Sequence, residues 1–197
     1  MEHSEQPWNE MLAALARGEA VGFPTETVWG LGADAASRPA VESLAALKGR
    51  PAGKALQLSC ASVEQARRLA APGQPLFEPL CALLPGPVTL VVRASAACPA
   101  WLVYGGRVGL RVPDHPLVQE LLSRWGGPLA TTSLNPAGAP SALNLAQADA
   151  YNLASVLLSG EAGAGLPSTV IDGGTGQILR PGALSAERLQ AALNGAR

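Results

Sequence analysis

Apolar positions along this chain switch repeatedly between a helical and an extended period. Trp8, Met11, Leu12 and Leu15 recur at helical spacing and Gly18 follows where a C-terminal cap belongs, so residues 7–17 read as an amphipathic helix. Val21 to Phe23 is a short strand, stopped at Pro24 by the loss of a backbone donor. Ser37 and Pro39 open a second helix through Lys48, with Val41, Leu44, Ala45 and Leu47 facing inward. Leu56 to Ser59 alternates like a strand, and Ser62-Val-Glu-Gln65 is a capping box that opens a helix to about Ala70. Pro75 to Leu84 reads as a further helix, ended by Pro85-Gly86-Pro87. Val88 to Arg93 is rich in β-branched residues and reads as a central strand, and Val108 to Val112 as another. A helix from Pro116 to Trp125 turns Leu117, Val118, Leu121 and Leu122 inward. Leu129 to Thr132, Val156 to Leu158 and Thr169 to Ile171 complete the strands, and Ser185 caps a last helix. Helices and strands interleave irregularly. The expectation is a single α/β domain over residues 1–197, with a twisted, mixed parallel and antiparallel sheet flanked by helices.

Composition narrows this picture. Of the 197 residues 48% are hydrophobic and 15% charged, which fits a filled core rather than disorder. The net charge of −1 exerts no global pull toward nucleic acid or a membrane, so any anion binding must come from a local cluster. Cys60, Cys81 and Cys98 are odd in number and widely spaced, a poor disulfide or zinc framework that fits a reducing cytosol. Residues 1–17 carry Glu2, Glu5 and Glu10 and do not read as a signal peptide. The uncharged stretch 125–148 holds Thr131, Thr132, Ser133, Asn135 and Asn144, which would be stranded in lipid. A soluble, cytoplasmic protein with no membrane partner is expected.

Several familiar chemistries are excluded. Gly53-Lys54-Ala55 lacks the spacing and hydroxyl of a phosphate-binding P-loop, and no Gly-x-Gly-x-x-Gly turn occurs. His3 and His115 are the only histidines, too few for a histidine metal cluster, and no nucleophile elbow accompanies them. What remains is a series of short polar clusters, each near a strand end. They are Thr25-Glu26-Thr27; Lys48, Arg50 and Lys54; Thr89 and Arg93; Ser133-Leu-Asn135 with Ser141; Ser168-Thr169-Val-Ile-Asp172; and Arg180-Pro181-Gly182. Gly30 and Gly32 would let backbone approach another group closely. The only two lysines, beside twelve arginines, fall within seven residues. Each cluster alone also fits a plain turn or an exposed loop. Together, cations at 48–54 with Arg93 and Arg180, plus hydroxyls and one Asn, suit a polyanion such as a nucleoside triphosphate in a large basic groove.

Pro24-Thr-Glu-Thr-Val-Trp-Gly-Leu-Gly followed by Lys48-x-Arg50-Pro51 resembles the YrdC/Sua5 family, the threonylcarbamoyl-AMP synthases. Pro85-Gly-Pro-x-Thr89, Ser133-x-Asn135, Ser168-Thr-Val-x-Asp172 and Arg180-Pro-Gly extend the resemblance over residues 21–182. It implies a YrdC-like fold and a nucleotidyltransferase that makes threonylcarbamoyl-AMP and pyrophosphate from L-threonine, bicarbonate or CO₂, and ATP with Mg²⁺. The product would serve threonylcarbamoyladenosine (t6A) modification of tRNA through a downstream threonylcarbamoyl-transferase complex, with direct tRNA or RNA contact open. By similarity Thr25, Thr131 and Ser168 would meet threonine, with Arg93 at its carboxylate or the forming carbamate. Arg50, Lys54, Thr89, Ser133, Ser141 and Arg180 would meet ATP, Lys48 would extend the phosphate wall, and Asn135 would shape the nucleotide loop. The resemblance assigns no acid or base; Lys48, Arg50 and Lys54 act electrostatically and by orientation. Trp29 stands where the family usually has Tyr, Leu134 where it has Ala, and Ser59 where longer relatives have a histidine. Ending soon after Arg180-Pro-Gly, the chain resembles the short form without a C-terminal Sua5 domain.

Two other functions compete. A non-catalytic RNA-binding module would need the basic groove to track phosphates, against neutral charge and an aromatic content of 4%. A carbamoyl-adenylating relative, like the similar domain of hydrogenase-maturation proteins, normally sits inside a much longer chain.

Overall fold

The computed structural model describes residues 5–49 and 56–194. In chain order the elements are α1 (Glu5–Ala16), β1 (Val21–Phe23), β2 (Gly30–Asp34), α2 (Arg38–Leu47), β3 (Gln57–Ser59), α3 (Val63–Leu69), α4 (Phe77–Cys81) and β4 (Val88–Arg93). After a short 3-10 turn at Ala100–Leu102 come β5 (Arg107–Arg111), α5 (Pro116–Trp125), β6 (Leu129–Ser133), α6 (Leu145–Ala150), β7 (Val156–Leu157), β8 (Thr169–Asp172), β9 (Ile178–Arg180) and α7 (Ala186–Asn194). The caps explain where helices begin. Ser37 accepts from the Ala40 amide, Ser62 from Gln65, Asn144 from Gln147 and Ser185 from Arg188, each satisfying an otherwise orphaned donor. Gly126, with φ of +78°, closes α5 in the left-handed region.

The strands form one mixed sheet in the order β7-β1-β2-β6-β3-β5-β4-β8-β9. The pairs β1/β7, β3/β5 and β4/β8 are parallel and the others antiparallel. Period-two alternation then sends side chains to two unlike faces. On one face Leu31, Ala33, Leu58, Leu90, Val92, Val108, Leu110, Ala130 and Ile171 join buried residues of α2, α3, α4 and α7 in the main core. On the other, α1 and α5 cover Val21, Phe23, Leu129 and, at the β7 edge, Val156 and Leu158, through Trp8, Met11, Leu15, Val118, Leu121 and Leu122. The guanidinium of Arg124 lies 5.0 Å from the centre of the Trp8 ring and joins α5 to α1. The rest of that second face carries mostly polar side chains, and among the described residues no α-helix lines it.

Four elements differ from the sequence expectation: β2, α6 and β9 have no counterpart in it, and α4 is shorter than expected. Gly30 to Asp34, expected only to let backbone approach another group through its glycines, is an interior strand between β1 and β6. Its glycines do admit a close approach, but of a side chain. A Cβ at Gly30 would stand 2.6 Å from Cε2 of Phe23, and one at Gly32 3.0 Å from Cε1, because the ring lies across the strand. The helix expected over 75–84 is regular only from Phe77 to Cys81, since Pro79 cannot donate to the Pro75 carbonyl and residues 82–84 tighten into three-residue turns. The cysteines are free and buried, and burial pushes the Cys60 thiol up to about 12. Among the described residues no helix is long and apolar enough to cross a membrane.

Candidate functional site

The uncovered half of the second face is a cleft of about 510 Å³, within the range that holds a nucleotide-sized ligand. Its floor is built strand by strand, from Thr131 and Ser133 of β6, Gln57 and Ser59 of β3, Arg107, Gly109 and Arg111 of β5, Thr89 and Val91 of β4, and Arg180 of β9. Gly109 leaves the middle of the floor low, and a Cβ there would come 3.2 Å from the Thr89 methyl. Among the described lining residues there are three arginines and no carboxylate. Such a wall favours an anionic ligand.

At one end lies the hairpin loop between β1 and β2. Thr25 is buried and donates from Oγ1 to the Val28 carbonyl at 2.6 Å, with Thr27 Oγ1 2.8 Å away. Arg111, 5% exposed, reaches this loop from the end of β5. Its Nη2 donates to Thr27 Oγ1 at 2.7 Å and to Glu26 Oε1 at 2.8 Å, with Thr25 Oγ1 at 3.5 Å. Arg111 Nε and Glu26 Oε2 are buried without hydrogen-bond partners. The middle of the floor is a chain of hydroxyls. Thr89 Oγ1 donates to Gln57 Oε1 at 2.7 Å and lies 2.9 Å from Ser168 Oγ, while Arg180 Nη2 donates to the Ser168 carbonyl at 2.8 Å. Ser59 and Thr131 share a 2.8 Å bond.

The other end is framed by a tight turn from Tyr104 to Arg107. Gly105 and Gly106 both take positive φ there, and the Tyr104 and Arg107 amides exchange carbonyl bonds of 2.8 and 3.0 Å. Tyr104, 60% exposed, gives the cleft an aromatic rim. Arg107 is fixed to Asp172 at 2.7 Å and to the Val91 carbonyl at 2.9 Å. Burial raises the Asp172 carboxyl, but bonds from Arg107 and the Gly174 and Thr175 amides outweigh it and hold the group below its ordinary value.

Of the residues singled out from sequence, Thr25, Thr89, Thr131, Ser133, Ser141, Ser168 and Arg180 all line the cleft. Arg50 and Lys54 lie outside the described residues. Three others stand elsewhere. Lys48 is 2% exposed and is no part of an open phosphate wall. Its Nζ donates to the Ser133 carbonyl at 2.7 Å, to Asn135 Oδ1 at 2.8 Å and to the Asn135 carbonyl, pinning the loop after β6 from behind. Asn135 is the other half of that pin. It accepts from Ser133 Oγ at 2.6 Å, donates to the Ala139 carbonyl at 2.7 Å, and is absent from the lining. Arg93 ends β4 beyond the floor, with Nη2 donating to the Pro72 and Gly73 carbonyls at 3.0 and 2.9 Å.

Beside Arg180, Arg107 and Arg111 reach the floor, and sequence reading passed over both of these. Their signal was present. In Arg107-Val-Gly-Leu-Arg111, period-two alternation puts two arginines and a glycine on one face and two aliphatic residues on the other.

Fold and site define an α/β protein with a one-sided, arginine-floored cleft for a small anionic ligand. The Sua5/YciO/YrdC family model, described as "Telomere recombination", matches residues 13–182, and the chain belongs to this family. It is 39% identical over 178 residues to a threonylcarbamoyl-AMP synthase of Xanthomonas campestris pv. campestris, covering 86% of this chain and 94% of that one. It is 41% identical over 175 residues to the threonylcarbamoyl-AMP synthase of Halorhodospira halophila, covering 85% and 91%. Sua5 of P. abyssi complexed with L-threonine superposes with a TM-score of 0.88 at 33% identity, over 98% of this chain and 59% of that longer one.

Two measurements check the Lys48 and Asp172 contacts. Lys48→Met leaves buried carbonyl acceptors unpaired and is expected to cost about 2–3 kcal/mol in urea unfolding, where a solvated lysine of a phosphate wall would cost under about 0.5 kcal/mol. Asp172 has its folded pKa depressed, so its contribution is present above the unfolded-state value and is lost as pH falls through the folded one. Stability measured from pH 6 down to about pH 2 should therefore decline less in Asp172→Asn than in the parent. Parallel declines would remove the Arg107–Asp172 pair from the account.

Proposed function

We propose that the chain is a threonylcarbamoyl-AMP synthase whose cleft holds L-threonine at the Arg111 end and ATP along the rest of the floor. The observation that carries this reading is the single uncovered sheet face, lined by three arginines, a run of hydroxyls and no carboxylate among the described residues, in a chain of this family. Threonine carries one carboxylate, one amine and one hydroxyl. Arg111 supplies a guanidinium for the carboxylate, and Thr25, Ser59, Thr131 and Ser168 supply hydroxyls for the remaining groups. Arg111 thereby takes the role that sequence resemblance gave to Arg93. Ser133, Ser141, Thr89 and Arg180 line the path left for the nucleotide, and Arg50 and Lys54 are proposed at its phosphates.

The chemistry needs positioning more than an acid or base. The threonine amine adds to CO₂ and loses a proton, giving a carbamate. A carbamate oxygen then attacks the α-phosphorus, the bond from that phosphorus to the bridging oxygen breaks, and pyrophosphate leaves. Charge grows on phosphoryl oxygens in this displacement, and fixed arginines facing it lower the barrier without reorganising. The two carboxylates beside the floor, Glu26 and Asp172, are both paired with arginine, and no group of three or more metal-ligating acidic, His or Cys side chains occurs among the described residues. Mg²⁺ is accordingly proposed to enter as the counter-ion of ATP. The product is proposed to pass, in the cytoplasm, to a threonylcarbamoyl-transferase complex acting on tRNA.

The test is pyrophosphate release from ATP and bicarbonate, with and without L-threonine, using serine, alanine and carbamoyl phosphate as controls. Release that requires both threonine and bicarbonate is expected; release indifferent to threonine would overturn the reading. Arg111→Lys keeps the charge but loses the planar fork, and should raise the KM for threonine about tenfold or more with little change for ATP. Arg93→Ala should leave both within about twofold. The reverse ranking would return the carboxylate to Arg93.

A further inference from the structure

The segment joining β7 to β8 contains Gly160-Glu-Ala-Gly163-Ala-Gly165. Neither its composition nor the family motifs mark it, yet it makes an ordered contact with the threonine end of the cleft. Three successive amides, those of Gly163, Ala164 and Gly165, donate to the three successive carbonyls of Thr25, Glu26 and Thr27 at 2.9, 3.1 and 2.9 Å. The loop beneath is buried at Thr25 and Thr27, while Gly163 and Ala164 above it are exposed. The segment therefore lies as an outer strap across the back of the hairpin loop.

Glycine is required for this contact. A Cβ at Gly163 would fall on the Glu26 carbonyl oxygen, far inside van der Waals distance of backbone that has no rotamer to yield. A Cβ at Gly160 would meet Pro24 Cγ at 3.0 Å and the Leu117 side chain still closer, so the strap also enters flush against the start of the loop. Between them the Glu161 carbonyl lies 3.1 Å from His115 Nε2, tying the strap to the start of α5. Beyond it, Pro167 and Ser168 descend into the cleft lining.

We infer that this strap is a positioning element of the amino-acid pocket, with Gly163 as its determining residue. Thr25 Oγ1 meets the Val28 carbonyl and Thr27 Oγ1 accepts from Arg111, so the carbonyls of residues 25–27 take outside donors, and the strap supplies all three. Fixing those peptides fixes the directions of Thr25 and of the Glu26 carboxylate that pairs with Arg111. Pocket geometry is thus set by two contacts on opposite sides of one loop, Arg111 in front and three amides behind. The inference rests on Thr25 and Arg111 facing the amino acid.

The experiment compares the parent with Gly163→Ala by steady-state kinetics, thermal unfolding, and amide hydrogen exchange with and without L-threonine. Gly163→Ala is expected to raise the KM for threonine about tenfold or more and that for ATP less than threefold. In the parent, threonine should slow exchange at the Gly163, Ala164 and Gly165 amides. Equal changes in both KM values, or strap amides that exchange identically with and without threonine, would overturn the inference. If the variant fails to fold, the parent's exchange pattern decides alone. A parent that shows no threonine response by kinetics or exchange overturns the functional reading and the strap together. A responsive parent beside an unshifted variant overturns only the strap.

Discussion

The contact between Arg111 and the hairpin loop is the constraint on which the proposed amino-acid end of the cleft depends. The guanidinium comes from the end of β5, and the acceptors come from a loop between β1 and β2, three strands away in the sheet. Burying both charges is tolerable because they meet at 2.8 Å and because threonine hydroxyls take up the remaining donor capacity of Nη2. Loss of either charged partner would strand the other in a dry site, at a cost of about 3–5 kcal/mol. The loop is therefore held in one arrangement. That rigidity is what a small amino acid with three polar groups needs from its pocket.

The same economy governs the sheet. One face is spent on the main core, which holds the sheet together and lets the other face be left half bare. Where that bare face must also be low, the side chain is removed: Gly30 and Gly32 take the Phe23 ring, and Gly109 deepens the floor. Helices α1 and α5 close only the β1–β6 end. Cleft and core are two outcomes of one alternating pattern, with arginine and hydroxyl residues at the positions that would otherwise carry valine and leucine.

Much of this was legible in the residues themselves. Period-two and period-3.6 patterns place most strands and helices to within a residue or two, and α5 is bounded as expected from Pro116 to Trp125. The hydroxyl clusters were found because Ser and Thr at strand ends are conspicuous. Strand β2 was hidden because glycine carries no β propensity, and its role follows from a ring contributed by another strand. Lys48 misled for a related reason. A lysine near arginine reads as an exposed cation, and only the fold reveals carbonyls of residues 133 and 135 closing around its ammonium. Arg93 and Arg111 both sit at strand ends, and which one turns into the cleft depends on what lies beyond each strand: two loop carbonyls for Arg93, a half-buried glutamate for Arg111. That information is tertiary.

The central claim is that the Arg111 end of the cleft binds the amino acid. Its most direct test is a crystal structure of the protein grown with L-threonine. The account predicts the threonine carboxylate within hydrogen-bonding distance of Arg111 and its polar groups against Thr25 and the hydroxyls beside it. A threonine carboxylate seated on Arg93, or on Arg107 at the Tyr104 end, with Arg111 bonded only to its own loop, would contradict it.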